Sequence, residues 1–252
     1  MLPRNVRLLR QSFAQCLDNL QARLGIKVSW TTPYKLCDLK PALACIYPEY
    51  LQGYTNWGDC DTDLIFGRFT RFYDDAVLSH DFVSAQPSIL SAHLAVFRNR
   101  PEVCSFFRND PNWAAYFAAP EYQRFDEHVM ARLLLGDKYQ LFRYAPIFRH
   151  RVSHGGQSFT YLFCERYSTF GAPQIWKDGT VKIEGTWHWR DGILTAPFLD
   201  NEEVFYVHFM HWKSARYIKD PAWDRLPRIV DPALPRHPQS MSIGPDGIRV
   251  LA

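Results

Sequence analysis

Asp59, Asp61 and Asp63 stand at alternate positions in residues 54–72, YTNWGDCDTDLIFGRFTRF. The apolar run Leu64-Ile65-Phe66 follows at once, and Gly67 ends it. Side chains at i and i+2 of an extended chain point the same way, so Asp61 and Asp63 would aim two carboxylates at one spot. Two adjacent carboxylates repel unless a proton or a cation sits between them. A hard divalent cation with oxygen ligands, Mn²⁺ or Mg²⁺, suits such a pair and keeps coordination positions open for phosphate oxygens. A solvated acidic turn has the same Asp-x-Asp pattern, and the motif alone does not separate the two.

The elements that must position these carboxylates are a strand over residues 54–60 and a second over 64–66. Ahead of them, Val6, Leu9, Phe13, Leu17, Leu20 and Leu24 have the spacing of an amphipathic helix over 5–24. Asn5 is its predicted N-cap and Gly25 its stop. A short strand over 26–30 follows. Asp38 can cap a helix running to about residue 47, with Pro41 in its first turn and Pro48 closing it. Further on, helices are expected over 69–78, 101–109 and 125–135, and strands over 82–83, 94–97 and 139–144. Phe125, Val129, Leu133 and Leu134 share one face of the last helix, and Asp126 and Glu127 lie in its first turn. Residues 159–192 turn β-like, with strands at 159–163, 175–176 and 181–183 and Asp-Gly turns at Asp178-Gly179 and Asp191-Gly192. A buried strand over 204–209 carries His208. The expected class is therefore α/β, a mixed sheet flanked by helices and centred on the strands around Asp61. Its main domain covers residues 1–220, with 159–192 as a β-hairpin excursion, and a Pro-rich extended tail occupies 221–252.

Composition narrows the function. The chain has 252 residues, 47% of them hydrophobic and 15% aromatic, enough for a packed core and unlike a disordered chain. A formal charge of +3 is too mild to argue for nucleic acid and permits only a modest attraction to phosphates or membrane surfaces. The six cysteines form no Cys-x-x-Cys pair and no zinc spacing, which suits reduced thiols in a cytoplasmic protein. No long apolar run marks a membrane span.

Two blocks, Pro33-Tyr34-Lys35-Leu36-Cys37-Asp38-Leu39-Lys40-Pro41 and Trp57-Gly58-Asp59-Cys60-Asp61-Thr62-Asp63, are followed by three more. These are Ser91-Ala92-His93 before Phe97-Arg98-Asn99, then Phe125-Asp126-Glu127-His128, then Phe205-Tyr206-Val207-His208-Phe209. In this order they resemble the bacterial GT-A-type glycosyltransferase-like proteins encoded with capsule and O-antigen polysaccharide genes, over nearly the whole chain. That family usually has Gly where Ala92 stands and an aromatic where Asp59 stands, so Asp59 is not counted as a ligand.

The resemblance implies a GT-A-like, Rossmann-like sheet and transfer of a sugar from a nucleotide-sugar donor to a glycan or glycolipid acceptor. It implies Mn²⁺ or Mg²⁺ held by Asp61, Asp63 and His208, with His211 as the alternate. It also implies a donor site lined by Lys35, Asp38, Lys40, Trp57, Asp61 and His93, with the two lysines towards phosphate and Asp38 towards sugar hydroxyls. If the reaction inverts the anomeric centre, a carboxylate must take the acceptor proton, and Asp126, then Glu127, are the candidates. The residues themselves keep other readings open: Asp38 as a helix cap, Lys35 as a solvated loop lysine, His93 as a hydrogen-bonded structural histidine, and Asp126 and Glu127 as complements to a helix dipole. The family carries a strand and a nucleotide-binding loop ahead of the first helix, and this sequence starts after them. The expected location is the cytoplasm, with room for docking at the inner face of the membrane. The rival expectation is a sugar- or partner-binding remnant of such an enzyme. A metal-dependent phosphatase or nuclease fits the acidic cluster but not the Lys and His blocks.

Overall fold

The computed structural model describes residues 5–85, 90, 93–136, 147–164, 186–197, 200–208, 239–244 and 247–251. In chain order the strands are β1 (Asn56–Cys60), β2 (Leu64–Phe66), β3 (Phe82–Ser84), β4 (Leu94–Arg98), β5 (Ile147–His154), β6 (Gln157–Cys164), β7 (Trp187–Arg190), β8 (Ile193–Thr195), β9 (Glu203–Val204), β10 (Tyr206–His208), β11 (Ser240–Gly244) and β12 (Gly247–Val250). The α-helices are α1 (Phe13–Leu24), α2 (Leu43–Ile46), α3 (Phe69–Phe72), α4 (Asp75–Leu78), α5 (Pro101–Cys104), α6 (Trp113–Ala118) and α7 (Met130–Leu135). The chain is mixed α/β and divides into two compact units, residues 1–60 with 76–163 and residues 61–75 with 164–252.

The first unit is built on a mixed five-stranded sheet of order β1-β4-β3-β6-β5. β4 runs antiparallel to both β1 and β3, and β3 runs parallel to β6. Its core is aromatic. Trp57 and Phe97 face each other across β1 and β4 with rings stacked at 4.3 Å, and Phe106 lies 4.8 Å from Phe82 and 4.9 Å from Phe159. Helix α1 starts at Phe13 and not at Asn5. Ser12 makes a reciprocal capping box with Gln15, and this local pair fixes the start more strongly than the apolar spacing upstream. Val6, Leu8 and Leu9 stay exposed outside the helix. Gly25 ends it in the left-handed conformation, as expected.

Other expectations in this unit need correction. Residues 26–30 form no strand, although Trp30 is buried and its indole N–H donates to the Phe117 carbonyl at 2.9 Å. The helix expected from Asp38 is a 3₁₀ helix over Pro33–Ala42 followed by α2, and Thr32 is its N-cap. The helix expected over 101–109 is divided into α5 and a 3₁₀ turn, Phe106–Asn109. The strand expected over 139–144 lies outside the described residues.

Among the described residues the second unit holds a two-stranded and a five-stranded sheet. One pairs β2 antiparallel with β10, and the other has the order β12-β11-β7-β8-β9. Trp187, Leu194, Ala196, Val204, Val207 and Ile243 form its core, with Ile65, Trp189 and Ile248 packed against them. A second knot surrounds the fully buried Phe205, with ring centroids of Phe69, Phe72 and Tyr73 at 5.3, 5.2 and 4.9 Å. That knot divides the helix expected over 69–78 into α3 and α4, because the chain between them bends so that Tyr73 can reach Phe205. Asp191 and Gly192 both take positive φ at the β7–β8 turn, as the Asp-Gly pair predicts. The second half of the expected tail is corrected, since β11 and β12 pair with each other and β11 pairs with β7. Residues 165–185, with the strands expected there, lie outside the described residues.

Gly67 is where β2 leaves its ladder. Its N–H donates to the Phe205 carbonyl at 2.7 Å, and an added Cβ would sit 2.8 Å from the Val204 carbonyl oxygen. Backbone cannot yield as a flexible side chain does. Gly67→Ala should lower the stability of this unit by about 1–3 kcal/mol in urea unfolding. An unchanged midpoint would mean that β2 and β9 separate at no cost.

Candidate metal centre

The chain passes from β1 into a bend at Asp61–Asp63 and straight into β2. The two aspartates are therefore not on an extended strand, as their spacing alone suggested. They converge through the bend and through the ladder that follows. Leu64, one residue after Asp63, is paired with His208, the last residue of β10. The imidazole is thereby delivered to the bend. His208 Nε2 lies 3.5 Å from Asp63 Oδ2 and 4.0 Å from Asp61 Oδ2. One ligand atom from each of the three residues falls within 4.8 Å of the other two. An octahedral ion with bonds of roughly 2.1 Å puts neighbouring ligand atoms roughly 3.0 Å apart and opposite ones roughly 4.2 Å apart. Both measured separations lie within that range. Two carboxylates and one imidazole are a donor set that could hold a divalent cation.

Burial is graded across the cluster. The His208 side chain is 3% exposed, Asp63 13% and Asp61 33%. The histidine forms the floor, and Asp61 is on the open side, where further ligands of an ion would enter. The floor is stiff because Val207 is fully buried in the core and Ile65, its cross-strand partner, packs there too. Trp189 steadies the far end of β2 by donating its indole N–H to the Phe66 carbonyl at 2.9 Å. His211 lies outside the described residues.

The other predicted site residues belong to the first unit, and their settings differ. Lys35 and Asp38 are fully buried. Lys35 Nζ donates to Asp38 Oδ2 at 2.6 Å and to the Tyr116 carbonyl at 2.7 Å. Asp38 Oδ2 also accepts from the Gln123 N–H at 2.8 Å, and Oδ1 accepts from the Phe125 N–H at 2.7 Å. Asp38 is thus a cap, but of the Phe125 turn and not of its own helix. Neither side chain presents an atom to a ligand here. Lys40 and Glu127 are half-buried. His93 is 4% exposed at the start of β4, and Trp57 is 7% exposed against Phe97.

Asp126 is 2% exposed. It follows Arg124, which takes the left-handed conformation at φ 57°, and lies in a single π turn, Phe125–Val129. Tyr122 donates its hydroxyl hydrogen to Asp126 Oδ1 at 2.9 Å, while Oδ2 has no hydrogen-bond partner among the described residues. Burial, helped by the Glu127 charge, pushes the Asp126 carboxyl up to about 8, against the weaker pull of Tyr122 and Lys40. Burial and the nearby Asp126 likewise hold the Tyr122 phenol well above its ordinary range. Sequence reading found Asp126 but missed Tyr122, which lies four residues upstream in the irregular segment before the π turn.

The fold and these clusters define a mixed α/β chain with a candidate divalent-cation site. The chain belongs to the family of unknown function DUF6625, whose model matches residues 1–226. No curated protein and no solved structure matches it. Among the described residues no helix is long and apolar enough to cross a membrane.

Proposed function

We propose that this chain is a metal-dependent glycosyltransferase of GT-A-like architecture, moving a sugar from a nucleotide-sugar donor to a glycan or glycolipid acceptor. The observation that carries this is the convergence on one point of Asp61 and Asp63, from the first segment of the second unit, with His208, from its second segment and 147 positions after Asp61. Core packing does not require it, since two carboxylates and a buried imidazole gather only if a proton or a cation offsets their mutual cost. Mn²⁺ or Mg²⁺ held there would neutralise charge on a departing nucleoside diphosphate. Asp61 is on the exposed side, where the diphosphate would complete the coordination. Proton removal from the acceptor hydroxyl falls to Asp126 or Glu127.

Isothermal titration with UDP, GDP and CMP, each with and without Mn²⁺, tests this directly. One nucleotide should bind with an affinity that rises at least about tenfold with the metal. Binding without sugar transfer to any acceptor would favour the binding-remnant alternative. No metal-dependent binding of any nucleotide would overturn the proposal.

A further inference from the structure

Asp38 is tied to residues 85 and 87 positions away, Gln123 and Phe125, through both carboxylate oxygens. Lys35 completes the clasp by holding Asp38 and the Tyr116 carbonyl together. A buried ion pair is seldom a net source of stability, and many buried pairs can be exchanged for apolar side chains without loss. What this one does locally is specific. Its hydrogen bonds flank Arg124, the residue held in the left-handed region, and so set the turn that delivers Asp126. Strained backbone of this kind persists only where its surroundings over-determine it. Single π turns are frequent at functional sites. The product is a carboxyl sealed from solvent, with one oxygen on the Tyr122 hydroxyl and the other without a partner among the described residues. Tyr122 itself is half-buried, and its ring meets edge-on the well-exposed ring of Tyr34, with centroids at 5.2 Å.

We infer that Tyr122 and Asp126 form a two-member proton relay for a hydroxyl-bearing ligand, with Lys35 and Asp38 as its positioning residues. Where Asp126 is ionised, a form that gains population as pH approaches about 8, a ligand hydroxyl gives its proton to the Tyr122 oxygen as the Tyr122 proton passes to Asp126 Oδ1. The phenol is regenerated, the ligand oxygen gains the electron pair of its broken O–H bond, and the carboxylate becomes a neutral acid. The charged groups acting on Asp126 are Glu127 and Asp38, which favour its protonation, and Lys40, which opposes it. Assigning the ligand as the sugar acceptor rests on the glycosyl-transfer proposal, but the relay itself does not.

The test is a carboxyl ¹³C titration of Asp126 in the full chain. Tyr122→Phe keeps the ring and removes only the hydroxyl. It should raise the proton affinity of Asp126 about tenfold, because the ionised form loses a hydrogen bond. Asp38→Asn should shift the Asp126 titration downward and displace the amide resonances of Gln123 and Phe125. Should Asp38→Asn fail to fold, Tyr122→Phe decides alone. An Asp126 titration unmoved by Tyr122→Phe overturns the relay. In a transfer assay Tyr122→Phe should lower kcat and leave the donor KM in place, and equal loss in both would also overturn it. A chain that binds no nucleotide yet shows the displaced titration loses the glycosyl assignment and keeps the relay.

Discussion

Asp63→Asn should reduce Mn²⁺-dependent nucleotide binding at least about a hundredfold, a loss at or beyond the top of the range for disturbing a ligand's supporting shell. In the same variant the thermal midpoint without metal should stay level or rise. Asp63 and Asp61 are crowded against one another and share a single imidazole, with His208 Nε2 nearer to Asp63. Removing one negative charge relieves their repulsion in the metal-free protein. A purely structural role would have the opposite sign, because losing the partner of a 3%-exposed imidazole then costs stability. His208→Ala should weaken metal binding less than Asp63→Asn does, since both carboxylates remain. Calorimetry with MnCl₂ and differential scanning on the three proteins gives both readouts. A midpoint that falls in Asp63→Asn, with metal binding intact, would sink the metal site.

Asp126→Asn should stabilise the protein, and increasingly so from about pH 4 to about pH 8. The folded carboxyl binds its proton up to about pH 8, whereas the unfolded chain releases it near the ordinary value of 3.8. Between those limits the unfolded state holds fewer protons than the folded state, so the wild type loses stability as pH rises through the window. By pH 7 the loss amounts to about 4 kcal/mol, with further loss up to the folded value. An amide has nearly the shape of the neutral acid, can still accept from Tyr122, and has no proton to lose. The two proteins should therefore match near pH 4 and diverge above it. Urea unfolding at a series of pH values measures this, and parallel profiles would show that Asp126 ionises in the fold as readily as it does outside it.

The elements best read from sequence are those whose cause is local. Gly25 stops α1 in the left-handed conformation, and Asp191-Gly192 makes its turn, because both effects are decided within a few residues. The strands on either side of Asp61 are likewise found within two residues of their expected bounds. The start of α1 was missed although Ser12 and Gln15 carry the capping-box signature. The hairpin β11–β12 was missed although Gly244-Pro245-Asp246-Gly247 is a turn signature between two short β-rich runs, because the proline-rich stretch ahead of it dominated the composition. The environment of Asp38 was beyond local reading altogether. Its partners Gln123 and Phe125 offer only backbone N–H groups, which leave no mark in the sequence. The setting of Asp126 was hidden for a related reason: its proton affinity comes from burial, and burial belongs to the whole unit.

The second unit is split, with residues 76–163 of the first unit inserted between its two segments. During synthesis Asp61 and Asp63 thus leave the ribosome long before His208. At roughly 5–20 residues per second the delay is roughly 7–30 seconds. Throughout it, β2 has no β10 to pair with, and the two carboxylates belong to a nascent loop open to the surrounding ions. Two oxygens on a loose loop hold a divalent ion only weakly. The imidazole arrives on the strand that also closes the ladder. If the proposed site takes a metal, its capture would be tied to the completion of the fold, and an unfinished chain would be spared from seizing the wrong ion.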